Sequence, residues 1–143
     1  YRKRWYVFAF DIHKKEVRTF GLDRLYALRI TDTKFQFPQK IDPNDYFENS
    51  FGIIGPGDKK AEDIKLVFIQ NQGNYVRTMP LHHSQKITYD QDGIMHVELR
   101  LIPTYDFLME LLFHAEYVKV IEPKSLKNAL KDKLKRMLDI YSK

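Results

Sequence analysis

The chain has 143 residues, of which 43% are hydrophobic and 14% aromatic, with six Gly and six Pro. This composition is typical of a globular protein and excludes a disordered or collagen-like chain. It contains no cysteine, which excludes disulfide bonds, thiolate zinc sites and cysteine catalysis, and favours a cytoplasmic location. The apolar runs are far shorter than the roughly 20 residues of a membrane helix, so we expect no spanning segment.

The net charge of +5 is distributed unevenly along the chain. Residues 1–40 contain ten basic residues (Lys or Arg) and four acidic residues (Asp or Glu). Residues 41–121 contain seven basic and twelve acidic residues, and residues 122–143 contain seven basic and three acidic residues. Basic segments of this kind favour a polyanionic partner such as a nucleic acid. The chain starts without a methionine or a signal-peptide core, and we expect it to be part of a longer protein.

The first part of the chain predicts an antiparallel sheet. Residues 4–10 are aromatic and β-branched, residues 11–15 are polar, and residues 16–22 have the composition of a partner strand. Residues 25–30 predict a third strand. Three short strands form too small a sheet to be stable alone, so we expect further strands upstream of a partial domain spanning residues 1–37.

Residues 38–63 are rich in Pro and Gly, which predicts a linker between two domains. Asp42 precedes Pro43, and Pro is favoured at the first position of a helix. We therefore expect a short helix over about residues 43–49.

Residues 64–143 predict a second domain. The hydrophobic patterns indicate strands at 64–70, 85–89, 94–102 and 117–121, and helices at 71–79, 105–114 and from 122 onward. This β-α-β-β-α-β order with a terminal helix is typical of a ferredoxin-like module, which gives an α+β fold class. One apolar stripe of the last helix is expected to face the core, namely Leu126, Ala129, Leu130, Leu134, Met137, Leu138 and Tyr141.

No catalytic or metal-binding pattern is present. The five histidines form no HExxH motif, and Ser84 lies in no nucleophile elbow. Asp90 and Asp92 lie in an expected hairpin turn, where Asp is common for structural reasons. We therefore expect a protein that is not an enzyme and carries no cofactor or metal.

Basic and aromatic residues of the first strands form the candidate binding site. Lysine and arginine neutralise phosphates, and aromatic rings stack on bases. Trp5 and Tyr6 point to opposite faces of a strand, so at least one of them should belong to the core. The candidate ligand residues are Arg4, Trp5, Tyr6, Arg18, Arg24 and, in the second domain, Arg77; Arg100 is a further candidate, although Arg77 and Arg100 are equally well explained as exposed surface residues.

The N-terminal motifs resemble the WYL domain. They are Arg-Trp-Tyr-Val-Phe-Ala-Phe-Asp at 4–11 and Val-Arg-Thr-Phe-Gly-Leu-Asp-Arg-Leu at 17–25, with Val7 in place of the leucine that gives the family its name. Residues 46–53 resemble the connector that follows the WYL domain in such proteins. The remainder resembles the C-terminal extension called WCX, through Tyr75-Val76, Pro80 to Gln85, and Val120 to Leu126.

This resemblance implies a partial Sm-like or SH3-like β-barrel followed by a ferredoxin-like WCX module. It also implies the effector-sensing and dimerisation region of a bacterial transcriptional regulator, whose promoter-binding domain lies outside this chain. The effector would be single-stranded DNA or a nucleotide-like ligand. The family pattern assigns ligand contact to Trp5 or Tyr6, Arg18 and Arg24, with Arg4 as a neighbour.

Two other functions are compatible with the same sequence. The chain could be an accessory nucleic-acid-binding domain of a helicase or a defence nuclease. Alternatively, it could serve only to form a homodimer and bind no ligand.

Overall fold

The computed structural model describes residues 1–36 and 41–142. They form a mixed α+β structure with two antiparallel sheets and four α-helices. The boundary expected between residues 37 and 38 lies outside the described residues. No helix in the described part of the chain is both long and apolar enough to cross a membrane.

The first sheet is a hairpin of β1 (Tyr6–Asp11) and β2 (Glu16–Gly21). Tyr6 is paired with Gly21 at the open end, and Asp11 with Glu16 at the turn. The Asp11 carboxylate accepts hydrogen bonds from two backbone N–H groups of the turn, those of His13 and Lys14. The hairpin predicted from the sequence is therefore confirmed.

The third strand predicted at residues 25–30 is wrong. The chain passes through a 3₁₀ turn (Leu22–Arg24) and continues without regular structure. Ala27 has a φ of 57°, which interrupts an extended backbone, and no strand among the described residues pairs with this segment. A strand needs a hydrogen-bonded neighbour, whatever its residue propensity. Accordingly, the described part of the N-terminal region is a two-stranded hairpin and not a closed barrel.

Helix α1 (Pro43–Phe47) covers one face of the hairpin. Asp42 caps it by accepting a hydrogen bond from the backbone N–H of Asn44, as the Asp-Pro pattern predicts. The rings of Tyr46 and Phe47 lie 5.0 and 5.3 Å from the ring of Phe8 on β1. This aromatic cluster holds the connector against the hairpin.

The second sheet has the strand order β4-β5-β3-β6, all antiparallel. Its strands are β3 (Glu62–Phe68), β4 (Lys86–Gln91), β5 (Ile94–Leu101) and β6 (Val118–Glu122). A turn at Asp92 and Gly93, both with positive φ, joins β4 to β5. Every second residue of β5, and of β3 from Ile64 onward, is buried, so one sheet face forms the core and the other meets solvent.

Three helices complete this second module, namely α2 (Gly73–Thr78), α3 (Tyr105–Phe113) and α4 (Lys124–Tyr141). The Thr104 side chain caps α3 by accepting a hydrogen bond from the backbone N–H of Phe107. The helices contribute their buried apolar residues to one core with the sheet: Val76, Phe107, Leu111 and Leu126.

The apolar stripe predicted for the last helix is only partly correct. Leu126 is buried and Leu130 packs against the core, whereas the other members of the stripe are exposed, namely Ala129, Leu134, Met137, Leu138 and Tyr141. An 18-residue helix is about 27 Å long, but the five-residue strand β6 is only about 17 Å long. The later turns of α4 therefore extend past the sheet that would have covered them.

Candidate ligand-binding site

The two faces of the hairpin have different surroundings. Tyr6, Phe8 and Thr19 share the face that meets α1 and the connector, and the Thr19 hydroxyl donates a hydrogen bond to the carbonyl of Ile53 (2.9 Å). Side chains of a strand alternate between faces, so Val7, Arg18 and Phe20 point the other way. The backbone N–H of Leu22 donates to the carbonyl of Trp5, which extends the ladder by one residue and adds Trp5 to this second face. We call Trp5, Val7, Arg18 and Phe20 the free face of the hairpin.

Aromatic and basic groups lie side by side on the free face. Trp5 is 80% exposed, an unusual position for the largest apolar side chain. The Arg18 guanidinium lies 5.6 Å above the ring of Phe20 and 3.0 Å from the Asp11 carboxylate. Hydrogen bonding from the Lys14 backbone N–H and from Arg18 lowers the pKa of Asp11, so this carboxylate is ionised at neutral pH.

Arg4 and Arg24 flank the open end of the hairpin. Arg4 forms an ion pair with Asp23 (3.0 Å), and the Arg24 side chain lies against Gly21, the residue paired with Tyr6. Both arginines are exposed. An ion pair at such an exposed position contributes little to stability, so the Arg4 guanidinium is available to exchange the Asp23 carboxylate for a phosphate.

The remaining candidate residues lie away from the free face. Tyr6 points into a separate groove of 820 Å³ between the hairpin, the connector and the second module. Arg77 on α2 forms an ion pair with Asp90 on β4, and Arg100 on β5 forms one with Asp63 (2.8 Å). The structure thus places Arg4, Trp5 and Arg24 at the open end of the hairpin, Arg18 nearer the turn, and Arg77 and Arg100 in the second module.

His82 and His83 also line the groove that contains Tyr6, and no motif in the sequence indicated a binding role for them. The ring of His82 donates a hydrogen bond through Nε2 to the carbonyl of Glu48 (2.9 Å), while its Nδ1 lies 2.7 Å from the Ser84 hydroxyl. Burial and the neighbouring His83 lower the pKa of His82. The neutral ring therefore connects the second module to the end of α1. This hydrogen bond joins residues far apart in the chain, so no local sequence pattern predicts it.

Within residues 1–36 and 41–142, no three His, Asp or Glu side chains converge as a metal site would require. The free face also lacks a nucleophile with an adjacent base. It presents the exposed ring of Trp5, the half-buried ring of Phe20 and the Arg18 guanidinium, which are groups of the kinds that stack on bases and bind anions.

Two family models match this chain. The model of the WYL domain matches residues 1–30, and the model of the WCX domain matches residues 60–138. No curated protein matches the chain. Among solved structures, the chain is similar to proteasome accessory factor B/C (PafBC) of Arthrobacter aurescens, with 18% identity and a TM-score of 0.38. That match covers 89% of this chain and only 19% of the PafBC chain.

Proposed function

Because this chain belongs to the family of WCX-domain proteins and carries part of a WYL domain before its WCX domain, we propose that it is the effector-sensing and dimerisation region of a WYL-type bacterial transcriptional regulator. The effector is single-stranded nucleic acid or a nucleotide-like ligand. Promoter DNA is contacted by a part of the regulator outside this chain, in the cytoplasm. The region has no catalytic activity of its own.

The exposure of Trp5 on the hairpin face that also carries Arg18 is the observation on which this proposal rests. A tryptophan left in water on a small hairpin contributes nothing to the core, but it offers a flat surface on which a base can stack. The guanidinium groups of Arg18, on the free face, and of Arg4, at the open end of the hairpin, provide positive charge for the phosphates of the same nucleic-acid strand. Arg24 adds positive charge at the open end, where its side chain lies against Gly21 on the face that carries Tyr6.

Domain organisation follows from the same proposal. Residues 1–37 are a partial WYL domain of the Sm-like or SH3-like type, residues 38–63 the linker, and residues 64–143 the WCX module. The strand order β4-β5-β3-β6 with helices between its strands supports a ferredoxin-like architecture for the WCX module. Arg77 on its surface is proposed as an additional phosphate contact.

Regulation would operate through differential affinity. An oligonucleotide that binds one arrangement of the homodimer more tightly shifts the population toward that arrangement. The spacing of the promoter-binding domains changes with it, which couples effector binding to promoter binding.

Fluorescence anisotropy of labelled single-stranded DNA tests the proposal. The protein and its Arg18→Ala/Arg24→Ala variant are titrated at about 50 and about 300 mM salt, because counterion release makes phosphate binding salt-dependent. The matched control is Lys131→Ala/Lys135→Ala, which removes the same charge from the exposed surface of α4. We expect salt-sensitive binding that only the hairpin variant loses.

Each alternative outcome has a definite meaning. Equal loss in both variants would indicate a non-specific effect of net charge, and unchanged binding in the hairpin variant would place the site elsewhere. Absence of binding by every protein would contradict a nucleic-acid effector.

A further inference from the structure

A second groove lies between α2 and α3 of the WCX module, and none of its lining residues belongs to the hairpin. It has a volume of 480 Å³, and most of its lining is apolar. Tyr75, Met79 and Phe113 form an exposed rim, while Val76 at its base belongs to the core. Apolar grooves of this size with a few polar groups are the usual binding sites of small molecules.

His114, which lines this groove, has an unpartnered polar atom. The side chain is 3% exposed, and its Nδ1 lies 3.1 Å from the side-chain nitrogen of Gln72. An amide nitrogen can only donate, so Nδ1 is the acceptor and the ring hydrogen lies on Nε2. This Nε2 is buried and has no hydrogen-bond partner within residues 1–36 and 41–142.

His114 and Glu110 both line the groove. Oε1 of Glu110 lies 4.0 Å from Nε2 of His114, which is beyond hydrogen-bond distance. The other carboxylate oxygen of Glu110 is engaged by Arg2 at 3.0 Å. A buried N–H without a partner is costly, and a bound molecule with an acceptor atom would remove that cost.

The surroundings of Nε2 restrict the chemistry of that molecule. Burial lowers the pKa of His114, so the ring is neutral and provides one hydrogen without a positive charge. The Glu110 carboxylate beside it repels anions. The apolar rim formed by Tyr75, Met79 and Phe113 favours a flat hydrophobic body.

We propose that this groove binds a small neutral molecule with a flat apolar body and one hydrogen-bond acceptor, which receives the Nε2 hydrogen of His114. This site goes beyond the proposed nucleic-acid surface and does not depend on it. None of the groove residues belongs to the free face of the hairpin.

Coumarin, a fused two-ring lactone with one carbonyl acceptor, is the probe, and naphthalene is the two-ring control without an acceptor. Both are titrated into the protein by NMR, with the methyl group of Met79 in the groove as reporter and that of Met137 on α4 as internal control. We expect coumarin to bind roughly fivefold to tenfold more tightly than naphthalene, the effect of one hydrogen bond to a buried donor. The imidazole Nε2–H resonance of His114 should shift with coumarin alone.

Two variants separate the hydrogen bond from the apolar contact. His114→Phe should abolish the preference for coumarin, whereas Tyr75→Ala should weaken both ligands similarly and retain the preference. If His114→Phe does not fold, the imidazole Nε2–H resonance of the unmodified protein still tests the hydrogen bond, because it should shift with coumarin and not with naphthalene. No shift at Met79 with about 5 mM coumarin, or equal affinity for the two probes, would overturn the proposal, because fragments of this size bind pockets in the millimolar range. The DNA-binding assay reports on a different surface, so failure of one proposal leaves the other unaffected.

Discussion

Asp11 and Arg18 face each other at the turn end of the hairpin, with 3.0 Å between carboxylate oxygen and guanidinium nitrogen. The same carboxylate accepts hydrogen bonds from the turn backbone. Asp11 thus has two roles, since it stabilises the turn and also holds the arginine that we propose to bind phosphate. Its negative charge competes directly with a nucleic-acid ligand.

Asp11→Asn should increase the affinity for single-stranded DNA about two- to threefold at low salt, because one competing charge is removed while the amide oxygen still accepts from the turn. Anisotropy titrations measure the change. Asp139→Asn, the same substitution on the exposed surface of α4, is the control and should have a smaller effect. Lower affinity in Asp11→Asn would show that the carboxylate positions Arg18 for binding.

The pKa of Asp11, measured by NMR titration, should lie below its ordinary value of 3.8. A lowered folded-state pKa stabilises the hairpin above the unfolded pKa, and this contribution is lost as the pH falls from about 3.8 through the folded value. Arg18→Ala should raise the pKa only in part, because the Lys14 backbone N–H remains bonded. An unshifted pKa in the unmodified protein would contradict the hydrogen bonds of the turn.

Trp5→Ala should weaken single-stranded DNA binding by about tenfold, the usual contribution of one base stacked on an aromatic ring. The free energy of unfolding should change by no more than about 0.5 kcal/mol, because the side chain is exposed. Trp5 is the only tryptophan of the chain, so quenching of its fluorescence also reports contact directly. Tyr26→Ala, another exposed aromatic residue, is the control, and an equal loss there would argue against a specific stacking site.

Leu126→Ala should lower the free energy of unfolding by about 2–4 kcal/mol, because this residue attaches α4 to the core. Leu138→Ala on the same helix should change it by less than about 0.5 kcal/mol, since that side chain is exposed. Chemical denaturation of both variants measures the difference. Similar losses would mean that the end of α4 is covered in solution.

Gly52→Ala should destabilise the protein by more than about 1 kcal/mol, because φ is 79° and a Cβ would collide with the Asp106 carboxylate. Gly57→Ala is the matched control, with a φ of 54° and no atom within 4 Å of a Cβ. Gly57→Ala should lower the free energy of unfolding only by the cost of holding alanine at a positive φ. Equal destabilisation of the two variants would mean that Asp106 moves aside freely.

Local patterns in the sequence determined most of the secondary structure. The alternation in β1 and β5, the Asp42-Pro43 start of α1 and the Thr104 cap of α3 depend on residues close together in the chain. They act through backbone sterics and short-range hydrogen bonds, so their effect is readable without the fold. The basic and aromatic character of the first hairpin was likewise visible from the sequence.

Burial and pairing were decided only by the tertiary structure. Residues 25–30 have strand propensity but no partner strand among the described residues, and Leu138 continues an apolar stripe beyond the end of the sheet. Elements remote in sequence likewise determine that Tyr6 is partly buried, that Trp5 is exposed and that Nε2 of His114 has no hydrogen-bond partner among the described residues. Periodicity in the sequence shows that the two faces of a strand or helix differ in polarity. The free energy of burial depends on which other element packs against the apolar face, and only the tertiary structure determines that.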